Sequence, residues 1–172
     1  MNRPSRHNLA AGLRRRLKGA CRIAVVGIGD ELSPFDRFGM VAAKEIKKMD
    51  LPGIKVFLAG TMPESITGPI RTLHPDHVIL LDAAEIGARP GTIEIIKPGT
   101  ISAGLFSTHA LPLSVVMEYM EKNADTKVTL LGIQPDTSRP DKGLSPAGED
   151  YFQTNLKSLL GILRDICSGI TP

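Results

Sequence analysis

The sequence predicts an α/β domain, a mostly parallel sheet covered by helices on both faces. Three observations predict it. Nearly unbroken apolar runs recur at 23–28, 54–58, 77–81 and 128–133, as strands buried on both faces require. Stretches with helical spacing of apolar residues separate them. Glycine, proline and acidic residues gather where the runs end.

The elements follow in order. Segment 5–22 carries Leu9, Leu13 and Leu17 four apart and reads as a short basic helix capped by Asn8, weakened by Gly12 and Gly19. The run 23–28 is the first strand. Residues 38–49 place Met40, Ala43, Ile46 and Met49 on one helical side. The run 54–58 is the second strand, and Pro63 opens a second helix that continues to about Leu73. The third strand is 77–81. Segment 91–96 is the fourth, and its polar alternation marks an edge or half-exposed face. A third helix spans 111–122, and the fifth strand is 128–133. Ser145 caps a terminal helix with Pro146 in its first turn and a stripe of Phe152, Leu156, Leu159, Leu160, Leu163 and Ile166.

Charge divides this chain of 172 residues unevenly. Arg3, Arg6, Arg14, Arg15, Arg16, Lys18 and Arg22 lie in residues 1–22, which hold no Asp or Glu. The rest carries a formal charge of −4, although the whole chain is +3. Residues 1–22 therefore read as a basic N-terminal extension and 23–172 as a single domain, whose acidity argues against a nucleic-acid partner. The bland reading of the extension is a partly ordered start; contact with a membrane surface or RNA is the sharper alternative. No apolar run reaches the ~20 residues of a membrane span. Cys21 and Cys167 make neither a disulfide framework nor a zinc site, so a reducing, cytoplasmic setting is the simplest expectation. A monomer is the default.

Parallel sheets place their sites beyond the carboxyl ends of strands. Three such positions carry chemistry: 27–39 after the first strand, 82–85 after the third, and 107–110 before the third helix. The Gly27-Ile28-Gly29 start suggests a nucleotide loop, but position 32 is Leu where GxGxxG needs glycine, and Asp30 and Glu31 would repel phosphate. Asp36, Asp82 and His109 each have an ordinary structural reading: a helix N-cap, a turn carboxylate and a helix-start residue. Taken together, two carboxylates and an imidazole suit a borderline metal such as nickel or zinc, with positions left open for a substrate. Spacing alone does not bring them together. His74 and His77, flanking the third strand, read as exposed, and Cys167 reads as core. Neither GxSxG nor HExxH occurs.

Five segments in order resemble the hydrogenase maturation endopeptidases: GIGDELSPFDRFG at 27–39, AGTMPES at 59–65, LHPDHVILLDAAEIGARPGTIEI at 73–95, STHALPL at 107–113, and GIQPD with LSP at 132–136 and 144–146. The forms GIQPD and THxxPL are closest to the hydrogenase 3 type. The likeness spans about 23–166 and leaves the basic extension outside. It implies a three-layer α/β/α sandwich whose five-stranded sheet has one antiparallel strand, the half-exposed fourth. It implies an endopeptidase that removes a short C-terminal extension from the nickel-loaded large-subunit precursor of a nickel–iron hydrogenase. Asp36, Asp82 and His109 map onto the residues that contact nickel, which the precursor supplies; no permanently bound cofactor is expected. Water attack is assisted by metal polarisation or by a carboxylate base, and the residues do not choose between them. Two departures stand out: Asp30 replaces the usual Asn, and Leu58-Ala59 replaces an Asp before the second-loop glycine. The rival readings are a noncatalytic metal-binding or chaperone-like module that holds the precursor, and a nucleotide-binding α/β domain.

Overall fold

A computed structural model of the chain describes residues 6–96, 112–139 and 141–169. Its sheet has five strands: β1 (Ile23–Ile28), β2 (Ile54–Gly60), β3 (His77–Ala83), β4 (Ile93–Ile95) and β5 (Lys127–Ile133). Their order is β2-β1-β3-β5-β4. The pairs β1–β2, β1–β3 and β3–β5 are parallel, whereas β4 runs antiparallel to β5 at the edge. The antiparallel fourth strand was expected, but it is only three residues long.

Strand alternation divides the interior in two. Ile23, Val25, Ile79, Leu81, Leu131 and Ile133 face a layer of three helices: α1 (Arg6–Arg16), α2 (Phe38–Lys48) and α5 (Pro146–Cys167). Ala24, Val26, Ile28, Val78, Leu80 and Leu130 face the other layer. That layer holds a 3-10 helix (Pro63–Ile66), α3 (Thr67–Leu73) and α4 (Leu113–Asn123). The central strands carry apolar residues to both sides, which is why they read as continuous runs. The start of α5 is as expected: the Gly148 N–H donates to Ser145 Oγ at 3.2 Å, with Pro146 in the first turn. No helix among the described residues is long and apolar enough to cross a membrane.

The charge boundary at residue 22 is not a packing boundary. Leu13 and Leu17 are fully buried in the first core layer, and Leu9 packs against it. Burying a leucine contributes about 2 kcal/mol, so α1 is held by the core. The helix begins at Arg6, so Asn8 lies inside it and is not its cap. Arg14, Arg15 and Arg16 fall in the last turn, where the helix dipole favours cations.

His77 differs from expectation. It is buried, and its Nε2 shares a 2.8 Å hydrogen bond with Thr129 Oγ1. Burial first, then the charges of Lys127 and Arg16, pulls its pKa down from 6.5 to about 4. Unfolded chains take up this proton below pH 6.5 and the folded protein does not until about pH 4. The stability is therefore present above pH 6.5 and lost as pH falls through that window, by up to about 3 kcal/mol. Thermal midpoints recorded from pH 7 to 4 should fall in wild type and fall less in His77→Gln. Cys167 is core, as expected, and burial raises its thiol pKa.

Candidate active site

The chain leaves β1 for β2 on one side and then crosses β1 to reach β3 on the other. The seam between β1 and β3 is therefore the topological switch point, where open α/β sheets hold their ligands. Asp36 and Asp82 both lie at this seam, on the loop after β1 and near the end of β3.

The first loop is folded around Asp36. Its Oδ2 accepts the Asp30 N–H at 2.9 Å, and its own N–H meets Ser33 Oγ at 3.3 Å and Ser33 O at 3.2 Å. Asp30 turns the chain by accepting the Leu32 N–H through Oδ1 at 2.9 Å. Gly29 sits at φ +123°, and a Cβ there would overlap the Asp36 carbonyl. The glycine that hinted at a phosphate loop thus makes room for the chain's own Asp36, and the adjacent amide is taken by that carboxylate. Neither is left for a nucleotide, and this removes the geometric basis for that rival.

Asp36 is 7% exposed and is not a helix cap: the N-cap of α2 is Arg37, without a side-chain capping bond. Arg37 instead reaches Glu149 of α5 through Nη2 at 3.4 Å and lies over the Phe38 ring. Phe38 packs edge-on against Phe152 of α5, with ring centroids 5.3 Å apart. These contacts fix the start of α2. Three residues beyond Asp36, Gly39 presses on the seam itself: a Cβ there would overlap the carbonyl oxygens of both Ile28 and Leu81. Leu81 precedes Asp82, so this close approach brings the backbone of the Asp36 loop against the strand end carrying Asp82.

Asp82 is also 7% exposed, and it lies within β3 opposite Gly132 rather than in a turn. It shares the face of Leu80 and Ala84, the side covered by α3 and α4. His109 lies outside the described residues. Among the described residues no three His, Cys, Asp or Glu side chains are grouped as a metal site. The described part of the candidate site is thus two buried carboxylates at one seam.

No role for Gln134 follows from GIQPD in the sequence alone. Gln134 is buried after β5, and its Oε1 accepts the N–H groups of Ile86 at 2.8 Å and Ala88 at 3.3 Å. Its Nε2 donates to Pro135 O at 2.9 Å. One side chain therefore pins the loop that follows Asp82. The signal was a lone amide closing an apolar strand.

Comparison with known proteins follows the same lines. The family model described as hydrogenase maturation protease matches residues 40–162. A putative hydrogenase maturation protease of Methanocaldococcus jannaschii is 30% identical over 128 residues, 70% of this chain and 76% of that one. The hydrogenase 3 maturation protease of Escherichia coli K12 is 30% identical over 110 residues, 63% of this chain and 70% of its own. The crystal structure of a NiFe hydrogenase maturation protease, HycI, from Thermococcus kodakarensis superposes with a TM-score of 0.74 at 29% identity, covering 89% of this chain and 99% of that one.

Proposed function

The chain belongs to the hydrogenase maturation protease family and is a peptidase; from that premise we propose that it trims a short C-terminal extension from the nickel-loaded large-subunit precursor of a nickel–iron hydrogenase. The observation that carries this reading is the pair of buried carboxylates, Asp36 and Asp82, at one sheet seam. With His109 they offer two oxygens and one imidazole nitrogen, a donor set suited to a borderline divalent ion. Nickel arrives as part of the substrate, held by the precursor's own thiolates, and these three residues take up positions that those thiolates leave open. Engaging the ion anchors the precursor, and anchoring sets the scissile peptide beside the carboxylates. Positioning of this kind is worth several orders of magnitude in rate. A metal-dependent anchor also makes cleavage a check that nickel has been inserted.

The test is a product assay with the purified protein. The nickel-loaded precursor should be shortened to one product, and the nickel-free precursor should stay intact over the same period. Equal cutting of both would refute the nickel-directed reading. Stable capture of the loaded precursor without shortening would favour the holding module instead.

A further inference from the structure

We infer that Leu32, Met62 and Leu58 form a docking surface for the folded body of the precursor, separate from the carboxylates that meet its scissile segment; this rests on the function proposed above. Five large apolar side chains are exposed among the described residues, and three of them belong to β2 and the loops after β1 and β2. Leu32 is 92% exposed, Met62 58% and Leu58 37%. A single exposed leucine is ordinary. These are informative because their backbones are held in place. Leu32 N–H donates to Asp30 Oδ1 at 2.9 Å, and Asp30 N–H donates to Asp36 Oδ2 at 2.9 Å. Two bonds thus connect the turn bearing Leu32 to a carboxylate of the candidate site. Ser33 N–H donates to Asp30 O at 3.1 Å, and Glu31 is paired with Lys44 of α2. Met62 N–H donates to Ala59 O at 3.3 Å, and Met62 O accepts the Ser65 N–H at 3.0 Å. Both turns are fixed by hydrogen bonds while their apolar side chains stand in solvent.

Position selects the partner. The loops after β1 and β2 are stitched together, since Gly29 N–H donates to Gly60 O at 2.9 Å. The surface they carry is therefore continuous with the loop of Asp36, at the carboxyl end of the sheet. A protein whose scissile segment lies at Asp36 and Asp82 extends over these loops. Apolar side chains presented from fixed turns lose little freedom on binding, so burying them goes largely into affinity. The shape distinguishes body from tail. Leu32 is a knob on a turn, and a knob needs a concave apolar partner. A folded precursor body supplies one, whereas a short extended tail cannot enclose it.

Leu32→Ser and Met62→Ser remove exposed apolar surface and leave the core intact, so thermal midpoints should match wild type. Steady-state cleavage of nickel-loaded precursor should show KM raised about tenfold in Leu32→Ser and about a hundredfold in the double variant. The kcat should change little, as expected when binding shared by ground and transition states is lost. Tyr119→Ser, which alters another exposed side chain on α4, should leave both constants unchanged. A synthetic peptide of the cleavage segment and extension should inhibit wild type and Leu32→Ser equally. Unchanged KM in the double variant overturns the inference, as does an equal rise in Tyr119→Ser. Weaker peptide inhibition of Leu32→Ser assigns the surface to the tail and overturns it as well. So does a wild-type dimer in sedimentation that Leu32→Ser dissolves, since a second copy is then the occupant. A fall in midpoint with a matching loss of kcat marks a structural role and has the same force. If wild type fails to cut, the proposed function falls. Titrating nickel-loaded precursor into wild type and the double variant then decides the docking surface: weaker binding to the variant upholds it, and equal affinity overturns it.

Discussion

Asp36→Ala and Asp82→Ala should each lose precursor cleavage by about a hundredfold or more, the scale on which misplacing a reacting group costs rate. The two losses should arise differently. Asp82 sits inside a central strand whose ladder to β5 does not depend on its side chain, so its alanine variant should keep the wild-type fold. Asp36 also closes its own loop by accepting the Asp30 N–H. Alanine there should lower stability by about 1–2 kcal/mol as well. Asp36→Asn separates the two effects, because the amide oxygen still accepts from Asp30 while the negative charge is gone. Its circular dichroism and thermal midpoint should match wild type, with the shortened product absent. Wild-type cleavage by both Asp36→Asn and Asp82→Ala would remove these carboxylates from the mechanism.

Gly39→Ala is expected to be at least as damaging, although Gly39 carries no chemistry. A methyl group there collides with two backbone carbonyls, Ile28 O and Leu81 O, neither of which can swing aside as a side chain would. The start of α2 must then lift off the seam and take Asp36 with it. Overpacking of this kind costs about 3 kcal/mol, a fall of roughly 6–12 °C in thermal midpoint for a chain of this size. Cleavage should be lost at temperatures where the variant is still folded. Gly161→Ala is the control, since nothing lies within 4 Å of a Cβ at that position in α5. That change should be neutral or stabilising, as helical Gly to Ala usually is. A Gly39→Ala protein with wild-type midpoint and cleavage would show that the seam tolerates the displacement.

The strands were legible because burial on both faces writes itself as uninterrupted apolar sequence. Their alternation with helices pointed to sites beyond the carboxyl ends of the strands, and the seam between β1 and β3 needed the strand order. What escaped has a common cause. A helix with seven of its eleven residues outside the apolar class, RHNLAAGLRRR apart from Leu9, Ala10, Ala11 and Leu13, looks like a solvated appendage. Its two inward leucines were visible, but the layer they enter was not. His77 reads as exposed from its place at the strand's edge, in Leu73-His74-Pro75-Asp76-His77, whereas in the structure it is buried and feels the charge of Arg16. Asp36 and Asp82 were chosen from strand exits, yet their local settings were misassigned as a helix cap and a turn. Short-range grammar offers those uses first, and only the crossing of β1 by the chain puts the two at one seam.

The pairing of α1 with α5 also bears on how the protein is made. Leu13 is buried in the same core cluster as Leu159 and Leu163, and Arg14 meets Asp165, 151 positions away. During synthesis α1 emerges long before α5 exists, and folding proceeds broadly from the N-terminal end. The nascent chain therefore displays an arginine-rich helix with an uncovered leucine stripe until α5 has been made. The first core layer closes only when α5 arrives. A chain cut short before Pro146 keeps the strands of its sheet but leaves that stripe bare, a surface suited to capture by chaperones or to aggregation.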